Sequence, residues 1–312
     1  MESMHDLVVI GAGAAGLGAA QYAARANLEV LVLEEMAHGG QALLIDRLEN
    51  YPGLPEPVDG YTWSETMRSQ AETFGAAFSS TSVNSVKKSG EHFEISTTDG
   101  PLLAKAVILA TGAKHRHAGV KGEEEFGGRG VSYCATCDGP FFKGKAMVVI
   151  GGGDAACDEA MYLAKIASEV TMIHRKDRFR AQKALADRVL SNPKIKVIWD
   201  TVAEEIRGEK SVQGITIRNL KTNELSNLDC SAVFVFVGSI PQTGAMPAEL
   251  QLDETGYIVA NDRMETSIPG LYAVGDVRTT PFRQVITAVA DGAVAAHCAA
   301  QYIDELEGHA YQ

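Results

Sequence analysis

The sequence predicts an α/β protein of two doubly wound units, the second inserted into the first, and three observations predict it. An apolar run leading into a glycine-rich turn and then a helical stretch occurs twice, from Leu7 and again from Ala146. Each copy continues through alternating, turn-punctuated segments to a continuous apolar run that ends at a glycine, Ala106–Gly112 in the first and Ala232–Gly238 in the second. A third motif, Thr266–Asp276, has a short apolar run and an acidic end, with too few residues around it to bury a core of its own. Continuous apolar strands suit a sheet covered on both faces, and strands alternating with helices are the pattern of doubly wound folds.

The elements follow in order. Leu7-Val8-Val9-Ile10 reads as a strand that enters Gly11-Ala12-Gly13-Ala14-Ala15-Gly16 and a helix ending near Arg25. Val30–Leu33 is the next strand and ends at Glu34-Glu35. In the second copy, Ala146–Ile150 enters Gly151-Gly152-Gly153-Asp154-Ala155-Ala156, a helix runs through Lys165, and the strand Val170–Ile173 ends at His174. Glu34 and His174 stand at the same offset from the first glycine of their loops. The third motif belongs back in the first sheet, which makes the second unit an insertion. Residues 1–116 and 244–312 are expected to form the first domain and 117–243 the second. The crossings are expected near His115–Gly119 and Pro241–Met246, after the breaker Ile240-Pro241-Gln242, as a two-strand hinge. The length of 312 residues suits two domains of ordinary size.

Composition removes several classes of function. A net charge of -12 argues against nucleic acid, because phosphate binding needs a basic surface. The start, Met1-Glu2-Ser3-Met4-His5-Asp6, is acidic and leads directly into a strand, which is not a signal-peptide layout. No apolar run approaches the ~20 residues that span a bilayer, so the chain is expected in the cytoplasm. Five cysteines, an odd number, do not make a secreted disulfide framework. Cys157, Cys230 and Cys298 stand alone and read as small buried apolar residues.

Both glycine loops lie between a strand and a helix, where glycine permits the tight turn and the helix N-terminus holds a pyrophosphate. Gly11, Gly13, Ala14, Ala15 and Gly16 form the first candidate site, and Gly151, Gly153, Asp154, Ala155 and Ala156 the second. The ends of the second strands discriminate between cofactors. A carboxylate there, Glu34, hydrogen-bonds an unmodified ribose, whereas cations accept a 2′-phosphate. In the second copy no acid stands at the strand end, and His174, Arg175, Lys176 and Arg180 gather in one basic run, which reads as an NADPH site; a plain solvated basic turn is the alternative. Two nicotinamides would have nothing to exchange, so the first site reads as one for FAD. Gly275-Asp276 supports this, since a carboxylate at a strand end can bond a flavin's ribityl chain, and Arg283-Gln284-Val285 offers polar contacts to its ring. A helix cap is the plainer role for Asp276.

Cys134-Ala135-Thr136-Cys137-Asp138 is the sharpest feature. Half of a zinc site would need further ligands, no second CxxC exists, and His115 and His117 lie at no standard spacing, so no metal is expected. The pair reads instead as a reversible dithiol that takes the electron pair a reduced flavin delivers. Asp138 can exchange the protons this needs, or cap a helix. The CxxC precedes Gly151 and so belongs to the inserted domain.

At these residues the chain resembles the low-molecular-weight thioredoxin reductases, FAD- and NADPH-dependent members of the pyridine nucleotide-disulfide oxidoreductases. The resemblance runs through Gly11–Gly16, Gly39-Gly40-Gln41, Glu49-Asn50-Tyr51-Pro52-Gly53, Ala110-Thr111-Gly112, the CxxC, the second glycine loop, the basic run, and the Gly275-Asp276 and Arg283-Gln284 elements, in that order. It implies that Cys137 faces the flavin, Cys134 attacks the protein substrate, Asp138 handles protons, thioredoxin is the partner, and the molecule is a homodimer. It also implies that Glu35, Gly40, Gln41, Asn50, Ala110, Thr111 and Gly112 belong to the FAD site. Nicotinamide and disulfide, carried by one domain, would visit the flavin alternately as that domain turns on its two linkers. In the larger glutathione-reductase relatives the redox cysteines follow the first glycine pair, but here Gln41 follows Gly40 with no cysteine near, which disfavours them.

Two departures stand out. Ala155 replaces a usual Ser or Thr, and Lys176 a common second arginine, and both point to somewhat weaker NADPH binding. Rival readings are a related reductase of a peroxiredoxin-type partner or small disulfide, and a non-catalytic flavin redox sensor. The first usually carries a thioredoxin-like N-terminal region, which this chain, starting at its first strand, is not expected to have. The second leaves the NADPH site idle.

Overall fold

The computed structural model describes residues 4–45, 48 and 50–309. Glu49 of the Glu49–Gly53 motif and the first three residues lie outside them. The chain divides into two compact units, one of 1–114 with 240–312 and the other of 115–239.

The first unit begins with β1 (Met4–Ile10), α1 (Ala14–Arg25) and β2 (Val30–Glu34), continues through a tight turn at Gly40–Leu44 to α2 (Gly60–Thr73), then runs β3 (Ala77–Ser80), β4 (Val83–Ser89), β5 (His92–Thr97) and β6 (Gly100–Leu109). β1 lies between β2 and β6, both parallel to it, with Leu7 beside Val30 and Ala106. Leu7, Val8 and Val9 have no exposed surface, as the unbroken apolar run requires of a strand covered on both faces. β4, β5 and the first half of β6 form an antiparallel meander. Asp59 starts α2 by accepting the Thr62 amide at 2.8 Å.

The chain leaves through β7 (Ala113–His115) and, after the second unit, returns through Ser239–Pro241, just ahead of the stretch where the sequence placed the return. These two crossings pair with each other as a two-stranded ribbon, which is why the return comes this early.

The second unit runs β8 (Val131–Ser132), α3 (Ala135–Asp138), β9 (Ala146–Gly151), α4 (Asp154–Ile166), β10 (Glu169–Ile173), α5 (Lys183–Ser191) and β11 (Ile195–Ile198). Then come the antiparallel β12 (Thr201–Gly208), β13 (Val212–Asn219) and β14 (Leu225–Asp229), and finally β15 (Ala232–Phe236). Its parallel sheet has the order β11-β10-β9-β15-β8 and repeats the arrangement of the first unit.

After the returning crossing β16 (Ser239–Pro241), the chain adds β17 (Leu271–Ala273) to the first sheet and ends with α6 (Val285–Leu306). β17 is parallel to β6, Leu271 beside Val107, so the third motif does complete the first sheet. α6 packs on α1 with backbones nearly touching, since a Cβ on Gly292 would stand 2.2 Å from the Ala15 carbonyl. Among the described residues no helix is long and apolar enough to cross a membrane.

Candidate functional site

In the first unit the loop between β1 and α1 turns at Gly11, whose φ of +102° is open to glycine and where a Cβ would stand 2.5 Å from the Ala110 carbonyl. That approach brings Ala110, Thr111 and Gly112, at the end of β6, against the loop. No side chain caps the α1 N-terminus at Gly13, which leaves its first amides open to an anion. Glu34 folds back over the loop. Its carboxylate accepts the Ala12 amide at 2.8 Å and the Met36 amide at 3.0 Å. Glu35 is exposed. The Gly39 amide bonds the Ala12 carbonyl at 2.7 Å, so Gly39-Gly40 lies against the same loop. Gln41 donates to the Ala113 carbonyl, and Thr111 Oγ1 donates to the Gln242 carbonyl at 2.7 Å.

The Gly275–Val277 turn after β17 lies against α1, where a Cβ on Gly275 would meet that of Ala15 at 2.9 Å. Sequence reasoning missed what holds this turn. Asp291 of α6 accepts the Gly275 amide at 3.1 Å and the Arg278 guanidinium at 3.1 Å, and both side chains are almost wholly buried. The available signal was a lone carboxylate in an otherwise small and apolar stretch of α6. Burial pushes Asp276 above the usual carboxylate range; Arg283 opposes the shift and Asp291 adds to it. Asp276 caps no long helix. Gln284 takes the N-cap of α6, and its side-chain oxygen accepts from Asn50 at 3.0 Å. Val285 is the first residue of that helix.

These groups fit FAD: uncapped amides for a pyrophosphate, a carboxylate at the end of β2 for a ribose, and a half-buried carboxyl, Asp276, just past β17. In the second unit, Gly151 makes the same turn, with a Cβ position 2.5 Å from the Phe236 carbonyl. Gly153 leaves the α4 N-terminus uncapped, so the Ala155 and Ala156 amides are open. The basic run lies on this loop. The Arg180 amide bonds the Gly152 carbonyl at 2.8 Å, the Arg180 guanidinium lies 3.5 Å from the Cβ position of Gly153, and Asp154 accepts the Gln182 amide at 2.7 Å. The His174 ring covers Gly152. Burial holds His174 below the usual histidine range, with Arg175, Lys176 and Arg180 adding to the effect and a bond to the Arg178 backbone opposing it. A cationic run over open helix amides fits a dinucleotide bearing an additional phosphate.

Cys134 and Cys137 form a disulfide with their Cα atoms 5.3 Å apart. Asp138 is not the N-cap of α3; that place belongs to Cys134, whose sulfur accepts the Cys137 amide at 3.2 Å. Asp138 ends the helix, and its side chain makes no capping bond to the turn that follows. Both sulfur-bearing residues are half-buried, whereas Phe141 just beyond is exposed. Tyr133, also missed, ties this turn to the first crossing. Its hydroxyl donates to the buried Glu123 carboxylate at 2.8 Å, which in turn accepts the amides of Ala118, Gly119 and Val120. Cys157, Cys230 and Cys298 are buried and free, and burial raises the Cys157 thiol to about 11 and that of Cys230 to about 12.

Residues 5–292 match the model of the pyridine nucleotide-disulphide oxidoreductases. The chain belongs to this family. A thioredoxin reductase of Treponema pallidum is 56% identical over 307 residues, 98% of this chain and 100% of the relative. One from Peptoclostridium acidaminophilum is 42% identical, covering 97% of this chain and 98% of its own length. The crystal structure of thioredoxin reductase from Streptococcus pyogenes superposes with a TM-score of 0.89 at 42% identity, covering 98% of this chain and 100% of that one. The resemblance to the low-molecular-weight thioredoxin reductases, drawn from the motifs, is borne out by these matches. So is the α/β fold with one unit inserted in the other.

Proposed function

We propose that the chain is an NADPH-dependent thioredoxin-disulfide reductase with FAD in the first unit and NADPH in the second. The observation that carries this is the Cys134–Cys137 disulfide at the head of α3, in the same inserted unit as the cation-covered nucleotide loop. FAD, when bound, supplies the relay that accepts hydride from NADPH and returns an electron pair to sulfur. Glu34 and the α1 amides would hold its adenosine and pyrophosphate, and Gly40, Gln41, Asn50, Asp276, Arg283 and Gln284 would complete the site. Arg175, Lys176 and Arg180 hold the 2′-phosphate, with Asp154, Ala155 and Ala156 at the pyrophosphate.

Reduction breaks the Cys134–Cys137 bond with two electrons and leaves two thiols once two protons have been taken up. Cys134 as thiolate then attacks the thioredoxin disulfide, Cys137 displaces the reduced partner from the mixed disulfide, and the bridge reforms. Asp138, adjoining Cys137, gives and takes the proton at the departing sulfur. Nucleotide loop and disulfide belong to one unit, which would present them alternately by turning on its two linkers. We further infer a homodimer, the assembly that the resemblance implies, and a cytoplasmic location, from the acidic start and the lack of a membrane-length apolar run in the sequence.

The test is steady-state NADPH oxidation with thioredoxin as acceptor. Cys134→Ser and Cys137→Ser are expected to abolish turnover while NADPH still reduces the flavin. Unchanged turnover in either variant removes the catalytic assignment, and rapid turnover by the unaltered protein excludes a pure redox sensor.

A further inference from the structure

The basic run is a segment with a reason to splay. Arg175, Lys176, Arg178 and Arg180 are exposed cations within six residues, accompanied by the single acid Asp177, and like charges this close repel. Phe179 alone points inward, half-buried between them. Its ring meets that of Trp199, just past the end of β11, at 4.6 Å between centroids and 61° between planes. His174 completes a three-ring cluster, 5.9 Å from Phe179 and 6.1 Å from Trp199. Backbone bonds fasten the run on both sides of the cluster: the Thr201 amide to the His174 carbonyl at 3.0 Å, the Asp200 amide to the Lys176 carbonyl at 3.2 Å, and the Arg180 amide to the Gly152 carbonyl at 2.8 Å.

We propose that Trp199 is the positioning residue for nicotinamide-cofactor choice: by seating Phe179 and His174 it holds the cations ready-arranged over the nucleotide loop, so that the 2′-phosphate meets them without ordering the segment. This rests on the 2′-phosphate reading of the basic run. Trp199 touches no cofactor in this account. It acts on the phosphate through the backbone of residues 174–180. A ligand whose competent site is populated only part of the time binds more weakly by that fraction. If removing the ring leaves the run competent about a tenth of the time, the phosphate-bearing nucleotide loses about tenfold in affinity, while a nucleotide lacking that phosphate loses nothing.

The experiment uses the flavin-loaded protein and two small probes, 2′,5′-ADP and AMP, titrated by calorimetry, alongside KM and kcat with NADPH and NADH. Trp199→Ala is expected to weaken 2′,5′-ADP and raise KM for NADPH by about tenfold each, leaving AMP, the KM for NADH and both kcat values in place. Trp199→Phe, which keeps a ring, restores most of the loss. Phe179→Leu, which keeps an apolar side chain at this half-buried place but removes the ring, reproduces it and decides the matter should Trp199→Ala fail to fold. Equal weakening of both probes would overturn the proposal by showing a general scaffold role, and no weakening of either would overturn it outright. If the unaltered protein binds 2′,5′-ADP no better than AMP, the 2′-phosphate reading itself falls and takes this proposal with it; that result is seen before any variant is made.

Discussion

Asp291→Ala gives the sharpest test of how the candidate flavin site is built. In the folded chain one carboxylate oxygen serves both the Gly275 amide and the Arg278 guanidinium, each at 3.1 Å, with only 12% of Arg278 and 15% of Asp291 exposed. Removing the carboxylate strands a cation whose Nε already lacks a partner and leaves a buried amide unsatisfied. Breaking a buried pair from one side costs about 3–5 kcal/mol, and the residual exposure of both groups places this one at about 3. For a unit of this size that is a fall of roughly 6–12 °C in melting temperature. The assay uses the one tryptophan that each unit carries, Trp63 and Trp199. With Trp199→Phe as background, urea unfolding followed by fluorescence reports the first unit through Trp63, which is 3% exposed. Arg278→Met/Asp291→Leu removes both charges and is expected to recover all but about 1 kcal/mol, the bond to Gly275. A loss below about 1 kcal/mol for Asp291→Ala, or a double variant no better than the single one, would refute the reasoning.

Three further outcomes are expected. Gly16→Ala places a Cβ 1.9 Å from the Gly11 carbonyl, which backbone cannot yield to without moving α1 off the loop; it should destabilise the first unit by about 3 kcal/mol and give protein largely free of flavin, read from visible absorbance. Burial, reinforced by Asp158, raises Glu159 from 4.5 to about 7, and its Oε2 is buried without a partner. Because the folded value lies above the unfolded one, this group's contribution is complete below 4.5 and fades as pH rises through about 7. Urea unfolding of the second unit should therefore show a loss of about 3 kcal/mol between acid and neutral pH that is absent in Glu159→Gln. Asp276 is likewise raised by burial, so its ionised form weighs against folding once pH exceeds its folded value. Asp276→Asn should make the flavin-free chain more heat-stable at neutral pH while weakening its hold on FAD, measured by flavin release on dilution.

The fold was legible wherever one sheet demanded an unbroken apolar run. β1, β6, β9 and β15 announce themselves because strands covered on both faces have no polar side. The glycine loops were legible for a steric reason, since Gly11 and Gly151 sit where another strand end leaves no room for a Cβ. What escaped was anything made by side chains far apart in sequence. Asp291 and Arg278 meet only because β17 and α6 return to the first sheet, and Trp199 reaches Phe179 only because β11 lies beside β10. The capping of α3 escaped for a different reason. Sequence rules expect an oxygen from Ser, Thr, Asp or Asn at that place, and here the sulfur of Cys134 accepts the amide instead.

The central claim is that one chain holds two redox centres in series, a flavin and the Cys134–Cys137 disulfide. Anaerobic titration of the flavin-loaded protein with NADPH, followed by visible absorbance and by thiol counting, tests it most directly. About two equivalents of NADPH per flavin should be consumed with the appearance of two new thiols, falling to about one equivalent in Cys134→Ser. Saturation at one equivalent in the unaltered protein, with the disulfide intact, would contradict the account.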